Sequence, residues 1–122
     1  MSKILIADDD PVMVKLFEFN LKRSGFELVL CREGSAVVPQ ARATSPHLAI
    51  FDYMLPGRSG LELIQDFRGD DDLQALPIIV VTGQGKGSTR QELLDAGADE
   101  VFTKPFSPTV LIARIRELLA DQ

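Results

Sequence analysis

Four short apolar runs, each closed by a polar or charged residue, limit what this chain can fold into. Ile4-Leu5-Ile6-Ala7 leads into Asp8-Asp9, and Leu48-Ala49-Ile50-Phe51 leads into Asp52. Ile78-Ile79-Val80-Val81 leads into Thr82, and Val101-Phe102-Thr103 leads into Lys104. Apolar runs of this length, separated by helix-length stretches, read as buried parallel strands. Ligands of open parallel sheets bind outside the carboxyl ends of the strands. Parallel pairing of these runs would therefore gather three carboxylates, a hydroxyl and an ammonium at one edge.

The strands read from the sequence are Lys3–Ala7, Glu27–Cys31, Leu48–Asp52, Ile78–Thr82 and Glu100–Thr103. Helices are expected over 11–24, 35–43, 61–68, 89–96 and 108–120. In the first, Met13, Leu16, Phe17 and Leu21 recur at helical spacing, Pro11 suits the opening turn and Gly25 suits the exit. Pro39 lacks a backbone donor and should shorten or bend the second. Gly97 suits a left-handed cap after the fourth, and Ser107 suits the N-cap of the fifth. Five strand–helix alternations give a doubly wound α/β domain over residues 1–122. The first, third and fourth strands are apolar throughout and belong inside the sheet. Glu27 in the second, and Asp99-Glu100 leading into the fifth, mark these two as edges.

Eighteen acidic residues against thirteen basic ones give a net charge of −5, and the basic residues form no tract. Binding to nucleic-acid phosphates needs clustered Lys and Arg, so no nucleic-acid partner is expected. One His and one Cys argue against a zinc site, and a lone Cys31 excludes an internal disulfide. The apolar runs are too short to span a membrane, and the start of the chain lacks a secretory pattern. The expected location is cytoplasmic, without membrane attachment.

Three gathered carboxylates repel one another. Two unit charges about 4 Å apart at an effective dielectric near 20 interact by roughly 4 kcal/mol. Such a cluster calls for a compensating cation or raised pKa values. An all-oxygen donor set suits Mg²⁺, and an Asp beside such a metal can act as a nucleophile. Lys104 supplies a point charge and Thr82 a hydroxyl for phosphoryl oxygens. Phosphoryl transfer needs chiefly alignment and charge neutralisation, which this set offers.

These residues, in this order and spacing, resemble the receiver domain of two-component response regulators, of which the chemotaxis regulator is the familiar single-domain member. The likeness runs over essentially the whole chain. It is densest in Asp52-Tyr53-Met54-Leu55-Pro56-Gly57-Arg58-Ser59-Gly60, in Pro77 to Gly83, and in Gly97 to Phe106. It implies a flavodoxin-like five-stranded parallel sheet of order 2-1-3-4-5 with five helices. It implies that Asp52 accepts a phosphoryl group from a histidine kinase or phosphotransfer protein. Asp9 and Asp52 would bind Mg²⁺ directly together with the Met54 backbone carbonyl, and Asp8 mainly through water. Thr82 and Lys104 would contact the phosphoryl oxygens, Gly83 would leave room beside them, and the Lys104-Pro105 bond would be cis. The chain would then be a switch, not a turnover enzyme, assisting only its own phosphorylation and dephosphorylation. A downstream protein target would read Thr89 to Ala98, Glu100–Thr103 and Pro108–Ala120, with the chain a monomer or weak dimer. It would be a stand-alone receiver or one excised from a longer regulator or hybrid kinase.

Two other readings compete. A small Mg²⁺-dependent phosphatase of the haloacid dehalogenase type also uses an Asp nucleophile, but wants a second Asp where Met54 stands. A non-phosphorylated receiver-like scaffold would have no use for Asp8, Asp9, Asp52, Thr82 and Lys104 together. Blander roles suffice elsewhere. Asp10 caps the first helix, Asp70-Asp71-Asp72 is a solvated turn, and His47 is a strand-boundary residue. The stretch from Gly83 to Thr89 is a loop, because Gly87 separates Lys86 from Ser88 and breaks a Walker pattern.

The chain departs from the family at two places. Receivers commonly carry Tyr or Phe three residues before the lysine, where Val101 stands here. Phe102 is expected on the opposite face by strand alternation, so output should run through shifts from Ser88 to Ala98. Two residues past Thr82 stands Gln84, which can hydrogen-bond an attacking water, so Gln84→Ala is expected to slow autodephosphorylation.

Overall fold

The computed structural model describes residues 1–83 and 87–121. Gln84, together with the expectation for its Ala variant, lies outside them, as do Gly85 and Lys86 of the glycine-rich stretch.

The elements follow in the order β1 (Lys3–Ala7), α1 (Pro11–Arg23), β2 (Glu27–Cys31), α2 (Val37–Thr44) and β3 (Leu48–Asp52). Then come α3 (Gly60–Arg68), β4 (Ile78–Thr82), α4 (Arg90–Ala96), β5 (Glu100–Thr103) and α5 (Pro108–Ala120). All pairings are parallel and the sheet order is β2-β1-β3-β4-β5. The five expected strands and the two edge assignments stand. Every residue of β3 and of β4 is buried, as the unbroken apolar runs require of strands covered on both faces.

Alternation along each strand divides the core in two. Ile4, Ile6, Leu48, Ile50, Ile79 and Val81 pack with Phe17 and Leu21 of α1 and with Leu111, Ile115 and Leu118 of α5. Leu5, Ala7, Ala49, Phe51, Ile78, Val80 and Val101 pack with residues of α2, α3 and α4, including Val37, Leu63, Phe67 and Leu93. Val101 and Phe102 fall on opposite sides. Phe102 lies instead beside Phe106, their ring centroids 6.0 Å apart.

Helix boundaries differ locally from the sequence reading. The first helix ends at Arg23, with Ser24 as its cap and Gly25 beyond it at φ 91°. The second begins later than expected, at Val37, after a 3₁₀ turn over Gly34–Ala36. Pro39 is its third residue, within the opening turn whose N–H groups have no intrahelical partner, so the eight-residue helix accommodates it. The third starts one residue early, at Gly60, because Ser59 and Glu62 form a reciprocal capping box. Thr89 caps the fourth helix in the same way and stands just outside it.

Candidate functional site at the carboxyl edge of the sheet

The site is assembled from the ends of β1, β3, β4 and β5. After β1 the backbone N–H of Asp8 donates to the Cys31 carbonyl at 3.0 Å, continuing the pairing with β2 by one residue. One Asp8 carboxylate oxygen accepts the Asp10 N–H at 2.9 Å. Asp10 in turn caps α1 by accepting from the Val12 N–H at 3.0 Å. This chain of local bonds turns the acidic pair toward the sheet edge. Asp8 is buried, and its second oxygen, Oδ2, has no hydrogen-bond partner among the described residues. Asp9 is exposed.

Asp52 closes β3, buried, one residue beyond Phe51, which pairs with Ala7. Carboxylate oxygens of Asp8, Asp9 and Asp52 lie within 4.8 Å of one another. Lys104 follows β5 and places its Nζ 3.5 Å from Asp52 Oδ1. Its backbone N–H donates to the Thr82 carbonyl at 2.8 Å, which fixes the β5 exit against the β4 end. The Lys104-Pro105 bond is cis. Thr82 is buried at the last position of β4, one residue past Val81, the register partner of Asp52. The Met54 N–H approaches Asp52 Oδ1 at 3.4 Å, while its side chain is exposed.

Electrostatics follow from this geometry. Burial pushes the Asp8 carboxyl up to about 6 from an ordinary 3.8, and the neighbouring charges of Asp52 and Asp10 push the same way. The Asp10 N–H and the Lys104 ammonium act in the opposite sense. A buried carboxylate oxygen without a donor, facing two further carboxylates, needs a cation or a proton. Three carboxylates offer only hard oxygen ligands, so the donor set fits a magnesium-type ion. The structure thus brings the three acids and Lys104 together, with Thr82 at the adjoining strand end.

Comparison with known proteins bears on the same residues. The family model for the response regulator receiver domain matches residues 4–116. This chain belongs to that family. Its curated relatives include the phosphate regulon transcriptional regulatory protein PhoB of Rhizobium meliloti, 36% identical over 119 residues, 98% of this chain and 52% of that protein. Another is the alkaline phosphatase synthesis transcriptional regulatory protein PhoP of Bacillus subtilis, 33% identical, covering 96% of this chain and 48% of the relative. The receiver thus spans about half the length of these curated relatives. Among solved structures, the activated N-terminal receiver domain of Klebsiella pneumoniae RstA, bearing beryllium trifluoride, superposes with a TM-score of 0.86 at 29% identity. That match covers 97% of this chain and 98% of the other. The fold is the flavodoxin-like receiver fold, and the domain is one of a two-component response regulator. Receivers of this kind are signalling switches phosphorylated on an aspartate.

Sequence reasoning passed over one residue beside the site. Tyr53, next to Asp52, joins its hydroxyl to Ser88, 35 positions away. No periodicity or spacing signals such a contact, because both partners lie in loops.

Proposed function

We propose that this receiver is a phosphorylation-driven switch whose acceptor is Asp52. The observation that carries the reading is the Asp52 carboxylate, buried, ion-paired with Lys104 at 3.5 Å and grouped with Asp8 and Asp9. An Asp52 oxygen attacks phosphorus in line. The bond from phosphorus to the donor's imidazole nitrogen breaks as the bond to the carboxylate oxygen forms, and the imidazole leaves with its electron pair. Lys104 Nζ, held beside Asp52, neutralises charge on the transferred group, and the Thr82 hydroxyl donates to another of its oxygens. The donor is a phosphohistidine of a histidine kinase or phosphotransfer protein.

Asp9, Asp52 and the Met54 carbonyl would hold Mg²⁺, with Asp8 acting through water. When bound, the ion supplies positive charge to the phosphoryl oxygens and relieves repulsion within the acidic group. Asp8, buried beside Asp52, is then held charged to lower pH than it would be without the ion.

Phosphorylation biases two conformations because Lys104 and Thr82 gain contacts in one of them alone. We read the output surface as Thr89 to Ala98, Glu100–Thr103 and Pro108–Ala120, and the downstream partner as a protein. On that face Glu100 bridges Arg90 at 2.8 Å and Arg114 at 3.3 Å, which supports its working as one charged unit. Among the described residues no helix is long and apolar enough to cross a membrane. We take residues 1–122 as one receiver working in the cytoplasm as a monomer or weak dimer.

Incubation with Mg²⁺ and acetyl phosphate, followed by intact-mass analysis, tests the assignment. Wild type should gain one phosphate and Asp52→Asn none. Equal gain by both would refute it.

A further inference from the structure

We propose that Tyr53 is a latch that holds the start of α4 in the unphosphorylated conformation and yields when Asp52 is loaded. This rests on Asp52 being the acceptor. The backbone of Tyr53 is pinned on both sides. Its N–H donates to the Val81 carbonyl at 3.0 Å, and its carbonyl accepts the Gly60 N–H at 2.9 Å. Tyr53 is therefore tied to β4 through Val81 and to the start of α3 through Gly60, directly beside Asp52. Its hydroxyl reaches across to the segment leading into α4. There it accepts the Ser88 N–H at 2.9 Å and shares a second hydrogen bond with Ser88 Oγ at 3.1 Å.

The receiving segment is shaped for the ring. Gly87 has φ 91°, and a Cβ built on it would run into Tyr53 Cε2, Cζ and Oη. Ser88 directly precedes Thr89, whose side chain accepts the Glu92 N–H while Glu92 accepts the Thr89 N–H, both at 3.1 Å. The position of Ser88 therefore sets where α4 begins. That helix has seven residues and a single buried one, Leu93, so its first turn is held by this cap and the half-exposed Arg90–Glu100 bridge rather than by core packing.

The two ends of the latch are held differently. Tyr53 is fixed to the sheet through Val81, whereas Ser88 lies beyond Thr82, the last residue of β4, on the way to α4. Drawing the Thr82 hydroxyl to a phosphoryl oxygen on Asp52 shifts the chain that follows Thr82 relative to the anchored Tyr53. Hydrogen bonds of this length have little slack, so the Tyr53–Ser88 pair is the contact such a displacement breaks. Val101, on the same side of the sheet, has no polar atom to replace it.

The latch stabilises one state only, so removing it shifts the equilibrium toward the loaded one. One net hydrogen bond corresponds to roughly five- to tenfold in an equilibrium constant. The probe is beryllium fluoride with Mg²⁺, which stands in for the phosphoryl group, titrated calorimetrically. Amide exchange at Ser88 is followed in the free protein. Tyr53→Phe should speed Ser88 exchange and bind beryllium fluoride roughly five- to tenfold more tightly. Ser88→Ala should show a smaller gain, and the double variant should match Tyr53→Phe. Unchanged exchange, unchanged or weaker binding by Tyr53→Phe, or additive effects would overturn the latch. A wild-type chain that takes no beryllium fluoride would overturn the acceptor reading of Asp52, and the coupling with it. Faster Ser88 exchange in Tyr53→Phe would then still mark the bond itself.

Discussion

Replacing Asp8 by Asn should make the metal-free protein more stable at neutral pH. Asp8 is buried, and its Oδ2 has no donor among the described residues. Its carboxyl is pushed up from 3.8 to about 6, first by burial and then by the charge of Asp52. The folded state therefore binds the Asp8 proton more tightly than the unfolded chain does. The stability this contributes is fully present below the unfolded value and is lost as pH rises through the folded one. Each pKa unit corresponds to about 1.4 kcal/mol, so the loss approaches about 3 kcal/mol at neutral pH. Asn keeps an oxygen for the Asp10 N–H and cannot ionise, and its amide donates toward the neighbouring carboxylates. Urea unfolding in the presence of a chelator, run across pH, measures the difference. Wild type and Asp8→Asn should converge only below about pH 3.8 and separate by up to about 3 kcal/mol at neutral pH, the variant being the more stable. Added Mg²⁺ should raise wild type and close the gap, since a ligand stabilises the state that binds it. A variant less stable than wild type at neutral pH without metal, or a gap independent of pH, would refute the reasoning.

Gly34→Ala should lower stability by roughly 2 kcal/mol in urea unfolding, because the new Cβ would meet backbone atoms of Arg58. The Gly34 N–H also donates to the Pro56 carbonyl at 2.8 Å, so the same change loosens the loop after β3. Arg68→Ala should lower stability by about 3 kcal/mol. Arg68 donates to the carbonyls of Gly97, Gln74 and Leu76 and to Asp99, at distances from 2.7 to 3.1 Å. Those contacts lie at the amino end of the sheet, so phosphate uptake by folded Arg68→Ala should match wild type. Loss of uptake in a folded sample would contradict that separation.

The sheet was legible because burial on both faces leaves an unmistakable mark on β1, β3 and β4, while Glu27 and Asp99-Glu100 expose the edges. The caps at Asp10 and Ser107 were legible because each precedes a proline that can only open a helix. Alternation placed Val101 and Phe102 on opposite faces correctly. Gly60 opens α3 despite its poor helix propensity, because the Ser59–Glu62 box fixes the first turn. The 3₁₀ turn before α2 follows from Gly34 fitting against Arg58, a contact across 24 positions that no local pattern encodes. At the site, the strand-end acids and Lys104 could be read off as a set. The unpartnered Asp8 oxygen and the Tyr53–Ser88 bond could not, since both depend on where loops from separate strands come to lie.

Chemical trapping of the modified residue tests the acceptor assignment most directly. After incubation with acetyl phosphate, borohydride reduces an acyl phosphate and converts that aspartate to homoserine, which peptide mapping locates. The account predicts conversion at position 52 alone, and only when Mg²⁺ is supplied. Conversion at Asp8 or Asp9, or none at any position under conditions that add phosphate, would contradict it.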